Sequence, residues 1–160
     1  MNQRFTVHKI IATGLGSGYS PVAPGTAGAA LATIIWWILS VFLSPCLLLG
    51  TTILLIILFT ALGVWSSKVV EAVWGEDPSR VVVDEMVGVW IALLAVGNET
   101  GYYLYYMLLA FGLFRLFDIF KPLGIRKMEN IPGGWGIMLD DVLSGIYSLI
   151  ILTGVQWLIG

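Results

Sequence analysis

Residues 45–65 read PCLLLGTTILLIILFTALGVW, without one charged side chain and with the run Ile53-Leu54-Leu55-Ile56-Ile57-Leu58 inside them. A helix needs about 20 apolar residues, with a usable range of roughly 17–25, to cross the hydrocarbon of a bilayer. This stretch meets that length. Proline is tolerated at a first helical turn because its missing N–H would be unpaired there anyway. Ser44-Pro45 therefore reads as a tight hairpin between this span and the one before it.

Outward from that segment, four more spans are expected at about Thr26–Leu43, Val81–Val96, Tyr102–Phe117 and Val142–Leu158. The Val81 span is short and carries Asp84 and Glu85 near its start. Gly97 to Gly101 is a turn by composition, and the tyrosines that follow suit a membrane–water interface. The whole chain is 58% hydrophobic and 11% charged, with mean hydropathy +0.93. A soluble domain carries about 25% charged residues, so too few polar side chains are present to cover a water-facing surface. The expected architecture is all-α: one integral-membrane domain over residues 1–160, a bundle of about five transmembrane helices with glycine-rich loops. The formal net charge of −2 gives no sign of nucleic-acid binding, and the single Cys46 has no partner for an internal disulfide. Arg4 and Lys9 resemble the basic start of a signal peptide, but glycine- and proline-rich sequence follows where its apolar core should be. The chain is expected to be kept whole.

Charge fixes the expected orientation. In this scheme Arg4, Lys9, Lys68, Arg80, Arg115, Lys121, Arg126 and Lys127 all fall on one side, and the opposite loops hold no Lys or Arg. The positive-inside rule makes that side cytoplasmic, with the N-terminus inside and Gly160 outside. The acids sort with the bases. Asp84 and Glu85 start the third span, Asp118 ends the fourth and Asp140-Asp141 start the fifth, while Glu99 lies on the other side. Five carboxylates from three segments thus share one membrane depth, where ionisable groups are costly unless paired, hydrated or bound to an ion. The two N-terminal pairs could be simple caps that favour the helix dipole. Asp118, at a helix C-terminus, needs a cation: Arg115 or Lys121, each three residues away, or a metal. Oxygen ligands without nearby His or Cys suit Mg²⁺, Mn²⁺ or Ca²⁺, and Mg²⁺ characteristically takes substrate phosphate as a further ligand.

Two glycine-rich segments agree with phosphate chemistry. One, Gly14 to Thr26, includes Gly25 and leads into the first span; the other, Gly133-Gly134-Trp135-Gly136, precedes Asp140. Backbone N–H groups at a glycine-rich helix start bind anions readily. His8 is the one histidine, which excludes phosphatases that need two, and Cys46 lacks an arginine six residues on. No Asp-x-Asp pair exists for an aspartyl-phosphate route. Metal-assisted hydrolysis by water remains.

At these residues the chain resembles the phosphatidylglycerophosphatase A family. The resemblance rests on GLGSGYSPVAPGTAG at 14–28, VDEMVG at 83–88, FRLFDIFKP at 114–122 and GGWGIMLDD at 133–141. It implies a Mg²⁺-dependent enzyme of the bacterial inner membrane, acting at the cytoplasmic face on a membrane phospholipid and converting phosphatidylglycerophosphate to phosphatidylglycerol. By position, Asp84, Glu85, Asp118, Asp140 and Asp141 would be the metal and catalytic acids, and Arg115 and Lys121 would meet phosphate. Leu123-Gly124 departs from the family pattern, where the resemblance implies a second proline after Lys121-Pro122. Other readings are a phosphatase of the same fold acting on another lipid or polyprenyl phosphate, and a cation transporter or channel component. Transport predicts polar residues continuing through the membrane, and the middle of every expected span is apolar. Small residues such as Gly63 and Gly88 permit close helix packing, without deciding whether packing is within or between chains.

Overall fold

The computed structural model describes residues 3–75, 78–97 and 102–159. Glu99, most of the expected turn at 97–101, and Gly160 lie outside the described residues, as does the side chain of Arg4. The described chain is helical: α1 Gln3–Ala12, α2 Pro24–Phe42, α3 Pro45–Trp74, α4 Val83–Leu93, α5 Tyr103–Phe120 and α6 Gly134–Ile159, with 3-10 turns at Ser17–Tyr19 and Ile125–Asn130. Four of these (α2, α3, α5 and α6) are long and apolar enough to cross a membrane. The hairpin at Ser44-Pro45 forms as expected, with Pro45 in the first turn of α3.

The third expected span differs. Its helix, α4, has 11 residues and so extends about 16 Å, short of the hydrocarbon thickness. Every residue of α4 except Glu85 is buried. A helix apolar all round belongs inside a protein or a membrane, and here the other helices surround it. The membrane-crossing set is therefore four long helices around a short central one, rather than five equal spans.

Two other boundaries move. α3 continues through Ser66–Trp74, which hydropathy assigns to a loop. Nothing in that stretch breaks a helix until Gly75, at φ 93°. α1 covers the extension: His8 Nδ1 lies 3.4 Å from Ser66 Oγ, and Phe5 meets Trp74 edge to face. α6 begins at Gly134, eight residues before Val142, because backbone hydrogen bonding continues where hydropathy fails. Asp140 and Asp141 therefore sit nearly two turns inside α6. This corrects their expected place at a helix start and removes the N-terminal capping explanation for them.

Glycines set the helix spacing. A Cβ on Gly88 would lie 2.7 Å from the Asp141 carbonyl oxygen, and one on Gly145 would lie 3.1 Å from the Gly88 carbonyl carbon. α4 and α6 thus cross backbone to backbone. A Cβ on Gly134 would come within 3.0 Å of Val64 Cα, and one on Gly63 within 2.6 Å of Met138 Sδ. Away from the charged end, Trp90 Nε1 donates to the Ala32 carbonyl at 3.0 Å and Trp36 Nε1 donates to Thr52 Oγ1 at 3.1 Å. These satisfy the polar tips of two fully buried indoles.

Candidate active site

The glycine crossing explains how acids 57 residues apart meet. Asp84 lies four residues before Gly88 and Asp141 four residues before Gly145, so each is one turn from the crossing on the same side. Residues at i and i+4 share a helix face. The side chains of Asp84, Glu85 and Asp141 each offer an oxygen, and these lie within 4.8 Å of one another. Asp84 Oδ1, Glu85 Oε2 and Asp141 Oδ1 are buried with no hydrogen-bond partner.

Asp118 and Asp140 border the same cavity but are already paired. Arg115 donates to Asp118 Oδ2 at 2.5 Å, as an i, i+3 pair. The requirement that Asp118 find a cation on its own helix face is met by Arg115. Lys121 goes elsewhere: its Nζ donates to Asp140 Oδ2 at 2.7 Å and to Glu129 Oε1 at 2.6 Å. It caps α5 in the left-handed conformation, φ 45°, which is uncommon for a residue with a side chain. Burial opposes its charge, but the two carboxylates outweigh that and hold the ammonium above the ordinary lysine range. Asp140 is fixed from a second side by the Asp141 N–H, 3.0 Å from its Oδ1. Glu129 was not among the residues singled out from sequence. It is the one acid between Asp118 and Asp140, which is the signal that could have found it.

The cavity holds about 300 Å³ and is bordered by all five acids, by Arg115 and Lys121, and by Ala23, Pro24 and Gly25 at the start of α2. Ala23 is left-handed, φ 48°, and turns the chain into α2 there. A Cβ on Gly25 would come within 3.0 Å of Glu85 Cδ and 3.3 Å of Arg115 Nη1, so only glycine lets this helix end approach so closely. The first N–H groups of a helix have no partner within it. Pro24 has no N–H and the Ala27 N–H donates to the Ala23 carbonyl at 3.1 Å, so Gly25 and Thr26 carry those of α2, and helix starts of this kind bind anions readily. The remaining phosphate candidates separate. Thr26, half-buried in the next position, is not a wall of the cavity. Gly133 borders a neighbouring cavity of about 560 Å³, together with Glu71, Glu129 and Asp140. Gly134 is buried against the α3 backbone at Val64.

The donor set fits a hard divalent cation. Three carboxylates crowd together with unpartnered buried oxygens, while Arg115 and Lys121 are engaged by other acids. Buried charge of one sign demands compensation. The other titratable candidates fall away from this site. His8 is buried between α1 and α3 with its ring on Trp65, and Cys46 is exposed at the first turn of α3, where Pro45 follows the hairpin.

Comparison with known proteins agrees with this geometry. The profile of the family described as phosphatidylglycerophosphatase A matches residues 10–156. A Bacteroides thetaiotaomicron protein, provisionally named a phosphatidylinositol-3-phosphatase, is 59% identical over 94% of each chain. Phosphatidylglycerophosphatase A of Haemophilus influenzae is 42% identical, over 92% of this chain and 88% of that one. The Escherichia coli protein of the same name is 37% identical, over 94% and 86%. No solved structure matches the chain.

Proposed function

The chain belongs to the phosphatidylglycerophosphatase A family, and from that premise we propose that it hydrolyses the terminal phosphate of phosphatidylglycerophosphate, with Mg²⁺ held by Asp84, Glu85 and Asp141. One observation carries the reading: three carboxylates, each with one unpartnered oxygen, converge at a cavity that is also bordered by an arginine, a lysine and the start of a helix. Acids alone would serve any cation, but acids beside anion-binding groups serve a phosphate ester.

The substrate's terminal phosphate occupies the cavity, with its oxygens toward the first N–H groups of α2 and toward Arg115. Lys121 has three N–H donors, of which Asp140 and Glu129 take two, leaving one for phosphate. Such preplaced donors stabilise charge that grows on the phosphoryl oxygens, the main source of catalysis in phosphoryl transfer. Mg²⁺ bound by the three acids would supply Lewis-acid polarisation of a phosphoryl oxygen and a more acidic water. Asp118 and Asp140 orient the attacking water, and one of them receives its proton. The water oxygen bonds to phosphorus, the bond to the glycerol oxygen breaks, and the carboxyl returns that proton to the departing oxygen, which leaves as a hydroxyl. The products are phosphatidylglycerol and inorganic phosphate.

The proposed setting is the bacterial inner membrane with this site at the cytoplasmic face. It is supported by the grouping of Lys and Arg on the side of the acids. The same grouping argues against transport, since the described acids of the site gather at one end of the bundle rather than through its depth.

The 59% identical relative favours a second reading, a different lipid phosphomonoester as substrate. The deciding experiment measures phosphate release from phosphatidylglycerophosphate, phosphatidylinositol 3-phosphate and phosphatidic acid. Each is run with Mg²⁺, with EDTA and with Asp141→Asn. Release from the first that requires both metal and Asp141 supports the proposal. A kcat/KM higher on the inositol lipid transfers it to the second reading. No metal-dependent release from any of the three, by protein shown to be folded, refutes both.

A further inference from the structure

A second cationic cluster lies outside the catalytic cavity, where α1 meets the 3-10 turn at Ser17–Tyr19. Lys9 Nζ stands 5.2 Å from the centre of the Tyr19 ring, and Arg80 Cζ stands 5.7 Å from it. Two cations therefore share one aromatic ring. Among the described residues neither has a carboxylate partner. Each gains from the ring, but they repel one another.

Their approach is imposed by the backbone. The Val82 N–H donates to the Ala12 carbonyl at 2.9 Å. A Cβ on Gly18 would lie 3.0 Å from the Arg80 carbonyl carbon. The segment before α4 is thus pinned to the end of α1, and the two charges are held together rather than meeting by chance. Beside them is a cavity of about 400 Å³, bordered by Thr6, Ile10, Leu15 and Tyr19 as well as Lys9. Of its apolar walls, Ile10 and Leu15 are exposed.

We propose that this groove holds one anionic phospholipid, with its phosphate between Lys9 and Arg80 and its apolar part against Ile10, Leu15 and Tyr19. Charge complementarity selects the occupant. A cation pair with no carboxylate partner among the described residues, over an apolar floor on the membrane face that carries the basic residues, matches a lipid with a negative headgroup and not a zwitterionic one. The site is independent of which lipid phosphate the enzyme hydrolyses. It does adjoin that chemistry through the chain, because Tyr19 leads to Ala23-Pro24-Gly25 and Arg80 to Asp84. A lipid here would hold both segments at headgroup depth.

The test is native mass spectrometry of the full-length protein in detergent, titrated with phosphatidylserine or phosphatidylcholine. Neither lipid carries a phosphomonoester. The doubly substituted Lys9→Gln/Arg80→Gln protein is compared with wild type and with a control, Lys68→Gln/Lys127→Gln, which removes equal charge elsewhere. Wild type and control should retain one phosphatidylserine in preference to phosphatidylcholine. The Lys9/Arg80 variant should bind it roughly 30-fold more weakly, at about fivefold per basic residue. Unchanged retention by that variant, equal loss in the control, or no preferential retention by wild type overturns the proposal.

Discussion

Gly145→Ala adds one methyl group at the point where α6 crosses α4. That carbon would sit 3.0 Å from Ile91 Cβ and 3.1 Å from the Gly88 carbonyl carbon, and nearer still to its oxygen. The obstacle is mostly backbone and cannot rotate aside. Ordinary contact at 3.5–4.0 Å would be restored by a retreat of about 1 Å between the helices. Overpacking of this kind costs about 1–3 kcal/mol, offset by up to about 1 kcal/mol from alanine's better helix propensity. The net loss of stability is about 0–2 kcal/mol, so the protein still folds. Function responds more sharply. Asp84 and Asp141 belong to the two helices that meet at this crossing, and a 1 Å misplacement costs about 100-fold in rate. The matched control is Gly154→Ala in the same helix, where a Cβ meets nothing within 4 Å. Phosphate release and thermal unfolding in detergent are measured for both variants. The expected result is a kcat/KM about 100-fold down in Gly145→Ala and near wild type in Gly154→Ala. A Gly145→Ala enzyme with near wild-type activity and ordinary Mg²⁺ dependence would refute the claim that this crossing positions the acids.

Two further outcomes follow from the charged groups. Arg115→Met leaves Asp118, 13% exposed, without its cation, and should lower stability by about 1–3 kcal/mol in thermal or denaturant unfolding; adding Asp118→Leu should recover much of that loss without restoring phosphate release. His8→Ala, which removes the buried ring between Trp65 and Ser66, should lower stability by about 1–3 kcal/mol and leave kcat unchanged, since this ring does not border the catalytic cavity.

The legible parts of this molecule are those that composition and sign determine. Apolar length identifies α2, α3, α5 and α6, because crossing hydrocarbon is a requirement on each segment separately. The i, i+3 spacing narrows the protein cations for Asp118 to Arg115 and Lys121, and the structure selects Arg115. The shortness of the third span is visible in the sequence, but its burial depends on what the other helices place around it. Hydropathy likewise starts the last span only at about Val142, although a helix follows its backbone hydrogen bonds into polar surroundings and α6 begins at Gly134. The partners of Lys121 could not be read either. Glu129 and Asp140 meet it through a 3-10 turn and two left-handed residues, Lys121 and Leu123, none of which has a strong local signature. Leu123 and Gly124, where the resemblance implies a second proline, stand at φ 53° and 91°. Proline is fixed near −65°, so this loop has a shape that the proline could not adopt.

The displacement of Asp140 and Asp141 into α6 also changes what the acids are for. At a helix start they would be stabilised by the dipole and by free N–H groups, and would need no ligand. Nearly two turns inside, those N–H groups are engaged in the helix. Asp140 obtains Lys121 instead, while Asp141, 2% exposed, keeps one oxygen without any partner. Asp84 and Glu85, each with an unpartnered oxygen, face the same demand from α4. A fold that brings these three carboxylates together, and pairs Arg115 and Lys121 with other acids, leaves their burial to be compensated by a proton or by a bound cation. The Gly88–Gly145 crossing holds α4 and α6 in that relation. Loss of the proposed Mg²⁺ dependence on changing Asp84, Glu85 or Asp141 would identify the cation as the compensating group.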